Sequence, residues 1–357
     1  ANWSNLVDPD ALYDVVTQQV SYSSRTPSGD AAATLTGLIA MPSLSTADNF
    51  TQRNRVIVLS HATGSTPGEL SPGDAWYILA SQFASRGYLV VAADNWGRGG
   101  TDVDAETYLM ANRTAVNSLD LLKLTLADSR YADVYNAREV TIIGYSQGGY
   151  SALALWQLIQ LTRPGELTVS EVYAGGAPYN LYETFKGVVQ HLAGTCNGGA
   201  YCQFVDRETT VPFATDRILP GFLSYSNTGE VALGDVVNGN TFSTEFIEGF
   251  LADDPSFDAL KVQLQLNSFT NIQSPETSFG NSNSLLHLYH SGFDRLVPIA
   301  NTDELAALLS PHISVNYHQN QCNSSGYQLV SSLTDIVGVM HTLCGLAVLD
   351  DAMDDLK

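Results

Sequence analysis

The apolar positions change rhythm once along the chain. Residues 15–22 and 34–40 alternate apolar and polar side chains around the turn-rich segment 25–30, the period-two pattern of a half-buried antiparallel strand pair. From residue 55 onward the apolar runs are short and nearly continuous: 55–60, 88–93, 140–144, 171–175, 285–290 and 313–317. Such runs predict strands covered on both faces, hence a mostly parallel sheet. Helices over 74–86 (closing on Gly87 as a C′ residue), 108–128 and 151–161 are the predicted covers, the last apolar nearly all round as a central helix should be. About 107 residues separate the strand ending near Pro178 from the one starting at Leu285, where a plain crossover needs only a few dozen. Clusters of Phe, Leu and Val make that stretch a folded insertion. The pattern predicts an α/β chain in three pieces: core residues 1–178, an inserted, mainly helical cap over 179–283, and core residues 284–357.

Residues 140–150, VTIIGYSQGGY, run from a β-branched strand through Gly144-Tyr145-Ser146-Gln147-Gly148 straight into an apolar helix. A turn that sharp strains its central residue, and only small neighbours two positions before and after it avoid a clash. Glycines occupy both places. The turn lifts the Ser146 hydroxyl clear of the backbone and aims the Gln147 amide at the same point. The bare G-x-S-x-G pattern arises by chance in about one chain in ten of this length, so the flanking strand and helix carry the reading.

A serine hydroxyl is a weak nucleophile and needs a histidine base held in one tautomer by an acid. In chains with such an elbow the acid and then the histidine follow the serine, each at the C-terminal end of a later strand. Asp294, in LLHLYHSGFDRLVP directly after a strand, is the candidate acid. Of the histidines beyond it, His312 precedes the last strand and His318 ends it. His341 is preferred over His318, as a loop residue following a glycine- and serine-containing excursion and directly preceding an apolar helix over 342–349. Charge developing on a substrate oxygen needs two fixed amide donors. Gln147 supplies one, and Thr63, in the turning His61-Ala62-Thr63-Gly64 segment after strand 55–60, the other, with Ala62 and Gly64 as alternatives. Asp94 is expected to tie loops together around Gly97, Gly99 and Gly100.

With 357 residues and 44% hydrophobic content the chain can bury a large core. No run approaches about 18 apolar residues, and the start ANWSN lacks a basic segment followed by an apolar one. Neither a membrane span nor a signal peptide is expected, any export signal having been removed. A net charge of −21, with lysine only at Lys123, Lys186, Lys261 and Lys357, argues against nucleic acid and anionic lipid surfaces as partners. Cys196 and Cys202 bracket the tight NGGAY segment, while Cys322 and Cys344 bracket a polar loop and His341. Three pairings are possible; these two local disulfides fit an exported enzyme, extracellular or periplasmic, and the second would anchor the histidine. The chemistry requires no metal and no organic cofactor.

Gly144-Tyr145-Ser146-Gln147-Gly148-Gly149, Ala93-Asp94-Asn95, Gly176-Ala177-Pro178 and Asp294-Arg295-Leu296-Val297-Pro298 resemble α/β-hydrolases. More narrowly, the chain is similar to the secretory lipase family, in its lipase A-like branch, over nearly its whole length. The resemblance implies the α/β-hydrolase fold with a helical lid inserted before the acid, secretion, and a serine esterase mechanism on esters with apolar acyl groups. It carries these roles onto Ser146, Asp294 and His341. Many relatives outside this branch have His-Gly where this chain has His61-Ala62, a departure that bears on the second oxyanion donor. The expectation is a secreted serine carboxylic-ester hydrolase acting on neutral small-molecule or lipid esters, less active below roughly pH 6, where a histidine base is protonated. A serine peptidase or acyltransferase would share the triad; a binding protein on an inactivated hydrolase fold is the non-enzymatic alternative.

Overall fold

Strands β1 (Val15–Arg25), β2 (Ala32–Pro42), β3 (Arg55–Ser60), β4 (Leu89–Ala93), β5 (Glu139–Tyr145) and β6 (Thr168–Gly175) precede a long connection. A small hairpin, β7 (Val237–Asn238) and β8 (Thr241–Phe242), lies within it, and β9 (Leu285–Tyr289) and β10 (Ser314–Tyr317) follow. The structure is a computed structural model that describes residues 11–43, 55–101, 103, 105–132, 139–203, 205–272, 274–279, 283–322 and 338–356. Eight strands pair in the order β1-β2-β4-β3-β5-β6-β9-β10. The β1–β2 and β2–β4 pairs are antiparallel and the remaining pairs of this sheet parallel, so the antiparallel opening is as expected, but Leu35–Ala40 of β2 are all buried rather than alternating because β2 lies between β1 and β4 with both faces covered. All five residues of β4 and six of the seven in β5 are buried, which is why their runs carry no alternation.

Helices cover both faces. On one, Ala75–Ser85 packs Leu79, Ala80 and Phe83 with the C-terminal helix Val339–Asp355; on the other, Ala111–Ala127 flanks the central helix Gln147–Thr162 with its buried Tyr150 and Trp156. Asp74 caps the first of these, its carboxylate accepting from the Trp76 and Tyr77 amides. Two predicted boundaries move. Residues 108–110 are not helical, with Leu109 at φ 53°, so the helix begins at Ala111. The central helix begins at Gln147 rather than 151 because Gly148 and Gly149 are helical: a Cβ on Gly148 would lie 1.9 Å from the Ser60 carbonyl oxygen and one on Gly149 2.6 Å from that of Gly175. These glycines permit close approach between helix and strands; they do not interrupt the helix.

Between β6 and β9 the described residues are mainly helical, including Leu181–Leu192, Leu219–Tyr225, Thr244–Leu251 and Asp258–Leu266. Phe185, Phe242, Phe246, Phe250 and Phe257 form an aromatic cluster there, with ring centroids 4.9–6.0 Å apart. The far end of the C-terminal helix is tied to the sheet by Tyr173, whose hydroxyl donates to Asp355 at 3.1 Å, and to the end of helix Ala75–Ser85 by Arg86, which donates to the Met353 carbonyl at 2.6 Å. Beside Tyr173, burial and the neighbouring His318 push the stacked His287 down to about 4, so it stays uncharged under this helix at neutral pH. Among the described residues no helix is long and apolar enough to cross a membrane.

Candidate active site

The parallel strands all end on one edge of the sheet, and the loops leaving β3, β4, β5 and β9 meet there. Ser146 follows β5 directly, at φ 57° and ψ −123°, in a region side-chain-bearing residues rarely occupy. Its amide is held by the Gly175 carbonyl at 2.9 Å. The flanking glycines are steric requirements: a Cβ on Gly144 would stand 2.1 Å from the Gly148 carbonyl oxygen. The strain in Ser146 is thus fixed by packing on both sides, and its side chain sits at the N-terminus of a helix of sixteen residues.

Ser146 Oγ lies 2.8 Å from His341 Nε2, and His341 Nδ1 lies 2.6 Å from Asp294 Oδ2. All three groups are buried. Asp294 Oδ1 accepts from the Leu296 and Val297 amides, each at 2.9 Å. Burial alone would raise the Asp294 pKa, but the adjacent His341 and His290 outweigh it and hold this carboxyl well below the usual carboxylate range. Ionised, it only accepts, so His341 donates from Nδ1 and presents a bare Nε2 to the serine hydroxyl, which donates to it. That is the tautomer a general base requires.

His341 stands in the first turn of Val339–Asp355, not in a loop before a helix starting at 342; Gly338, in the left-handed region at φ 88°, starts the helix early. Cys344, one turn on, is bridged to Cys322, and Cys196 is bridged to Cys202. His318 is elsewhere, its ring stacked on Tyr289 at 4.5 Å and beside His287 at 5.3 Å. Gln147 occupies the first position of the central helix, where an N–H has no intrahelical acceptor and the helix end favours negative charge. Thr63 lies in the loop after β3, its hydroxyl 2.6 Å from the Tyr108 hydroxyl, leaving its amide without a backbone acceptor among the described residues. Asp94 joins strand β2 to the loop after β3 rather than tying loops together around Gly97, Gly99 and Gly100, accepting from Thr36 at 2.6 Å and from the Gly68 amide at 2.8 Å.

Three supporting residues escaped sequence reasoning. His290, fully buried, places Nε2 3.3 Å from Asp294 Oδ2 and 2.9 Å from the Val297 carbonyl, while its Nδ1 lies 2.6 Å from the Thr302 hydroxyl. Its only sequence signal is its place four residues before the acid at the end of β9. Tyr145 packs its ring 5.1 Å from that of His341, in space left by Gly345 and Gly176, whose added Cβ atoms would meet it at 2.8 and 2.4 Å. Glu106 accepts from the Gln147 side-chain amide and pairs with Arg98 at 3.3 Å, fixing the side chain of the residue after Ser146. An apolar cleft of about 40 Å³ adjoins Ser146, lined by Tyr108, Leu181, Phe213, Ile218 and Leu296 among others.

The strand order, the strained serine between strand and helix, and the order serine, acid, histidine define one architecture. The chain has the α/β-hydrolase fold. Residues 74–205, which include Ser146 but neither Asp294 nor His341, match the model of the family described as secretory lipase. Among solved structures the chain is similar to a Legionella pneumophila protein described as a hydrolase, at 19% identity and TM-score 0.69, covering 96% of this chain and 88% of that one. It is also similar to the rice cell wall degrading esterase LipA from Xanthomonas oryzae, at 19% identity and TM-score 0.64 over 100% and 95% of the two chains. Candida antarctica lipase A in its closed state aligns at 14% identity and TM-score 0.52, over 89% of this chain and 78% of that one. No curated protein matches by sequence. Fold and family likeness together are those of a lipase/esterase-type hydrolase.

Proposed function

We propose that the protein is a secreted serine carboxylic-ester hydrolase that cleaves neutral esters with an apolar acyl group through an acyl-enzyme. The observation that carries this reading is the unbroken chain of short contacts from Ser146 through His341 to Asp294. Ser146 Oγ attacks the ester carbonyl carbon as its proton passes to His341 Nε2; the proton then goes to the departing alkoxide. Water, deprotonated by the same nitrogen, releases the acid. The Gln147 amide, and with it that of Thr63, receives the developing oxyanion, each such donor supplying roughly 3–4 kcal/mol of barrier lowering. Residues 179–283 act as the cap, supported by the part that Leu181, Phe213 and Ile218 take in the cleft beside the serine. That lining favours an apolar acyl group, and the net charge of −21 disfavours anionic substrates. The two disulfides support a working place outside the reducing cytoplasm.

Paired p-nitrophenyl butyrate and p-nitrobutyranilide test the reaction class. The ester is expected to turn over at least about a hundredfold faster, with no activity in Ser146→Ala. Comparable rates on the anilide would assign a peptidase instead.

A further inference from the structure

Asp294 keeps its charge where its side chain has no exposed surface, so its lone pairs must find donors within the protein. A carboxylate offers about four such positions, and four donors surround it. Oδ1 accepts from the Leu296 and Val297 amides, while Oδ2 faces two imidazoles, with His341 Nδ1 at 2.6 Å and His290 Nε2 at 3.3 Å. Only the first of these rings touches the serine. The second is wholly buried just after β9, and it is not among the residues that line the apolar cleft beside Ser146.

The direction of the His290 hydrogen bond follows from its neighbours. Nε2 also lies 2.9 Å from the Val297 carbonyl, and since a carbonyl and an ionised carboxylate only accept, this nitrogen carries a hydrogen whether the ring is neutral or charged. His290 is therefore a donor to the acid. Across the ring, Nδ1 lies 2.6 Å from the hydroxyl of Thr302, which can donate or accept and so holds the ring in either charge state. Thr302 is itself wholly buried, in the helix Ala300–Leu309.

Two donors on one oxygen divide its negative charge. Hydrogen bonds to an ionised group are among the stronger ones a protein makes, so a second donor on Oδ2 weakens the pull of Asp294 on the proton at His341. The base then stays free to lower pH. The other titratable groups around the relay, Tyr145 of β5 and Tyr179 beyond it, are kept neutral by burial, and the charge of Asp294 adds to this at Tyr145. Neither brings a competing charge. We propose, on the reading of Ser146, His341 and Asp294 as an ester-hydrolysing relay, that His290 is a positioning residue: by donating from Nε2 to Asp294 Oδ2 it fixes the carboxylate and shares its charge, which keeps His341 an active base further into acid solution.

Two amides of different reach separate this role from plain packing. His290→Gln extends far enough to place an N–H near the position of Nε2, whereas His290→Asn stops at the level of Nδ1 and leaves Oδ2 one donor short. In His290→Asn the acid limb of kcat/KM for p-nitrophenyl butyrate is expected to move up by at least about half a pH unit, because with Oδ2 left to His341 alone the imidazolium is better stabilised. Plateau kcat should fall about tenfold, with KM within about twofold of the parent. His290→Gln should keep the limb within about 0.2 unit of the parent. A packing role alone would lower the thermal midpoint and leave the limb in place. In the parent itself, selective ¹⁵N-histidine labelling is expected to show His290 Nε2 protonated across the whole profile. That spectrum needs no catalysis, so its outcome stands apart from the Ser146→Ala control, which tests the ester reading. A parental limb in His290→Asn, a limb in His290→Gln that moves as far as that of His290→Asn, or a bare Nε2 in the labelled parent would overturn the proposal.

Discussion

Asp294→Asn is expected to lower kcat for ester hydrolysis by about ten-thousandfold while leaving the fold intact, the effect expected when a triad acid loses its charge but keeps its shape. The local hydrogen bonds dictate how the new amide sits. Asp294 Oδ1 accepts from two backbone N–H groups, so the asparagine oxygen must remain there and its NH₂ must take the place of Oδ2. A donor then faces His341 Nδ1, which becomes an acceptor, and the ring proton moves to Nε2, toward the serine. The base is lost without loss of packing. Steady-state kinetics with p-nitrophenyl butyrate, alongside thermal midpoints, checks this; a variant within tenfold of the parent would remove Asp294 from the proposed relay.

Gly148→Ala is expected to have the largest effect on stability. Its new methyl would meet a backbone carbonyl, that of Ser60, at 1.9 Å, and β3 and β5 are paired along their whole length, so neither side yields without disturbing the sheet centre. Overpacking commonly costs 1–3 kcal/mol, and a backbone clash at this distance belongs at or above the upper end, about 3 kcal/mol or more. A fall in thermal midpoint of at least about 5 °C, or failure to accumulate folded protein, is the expected result. Gly234→Ala is the control. No atom lies near its Cβ and no positive φ is required there, so it should change stability by less than about 1 kcal/mol. Equal midpoints for the two variants would mean the central helix is not packed as described.

These two residues also mark what could be read from the chain. Gly148 was legible because a turn from strand to helix dictates small residues at fixed spacing, and the parallel strands were legible because burial on both faces abolishes alternation. Asp294 followed from its place after an apolar strand. Two helix starts were misplaced where glycine had a second use: Gly148 and Gly149 lie within a helix for close approach, and Gly338 begins one just before His341. Supporting contacts left almost no trace. Tyr145 with Gly345, Glu106 with Gln147, and His290 with Thr302 are partners only in three dimensions, and no local periodicity couples such positions.

The claim on which the account rests is that His341 activates Ser146, and reaction with a fluorophosphonate probe followed by peptide mapping tests it most directly. One adduct per folded chain is expected, on Ser146, with the labelling rate reduced at least about a thousandfold in a folded His341→Ala variant. A folded parent protein that resists the probe, or a variant that labels as fast as the parent, would contradict it.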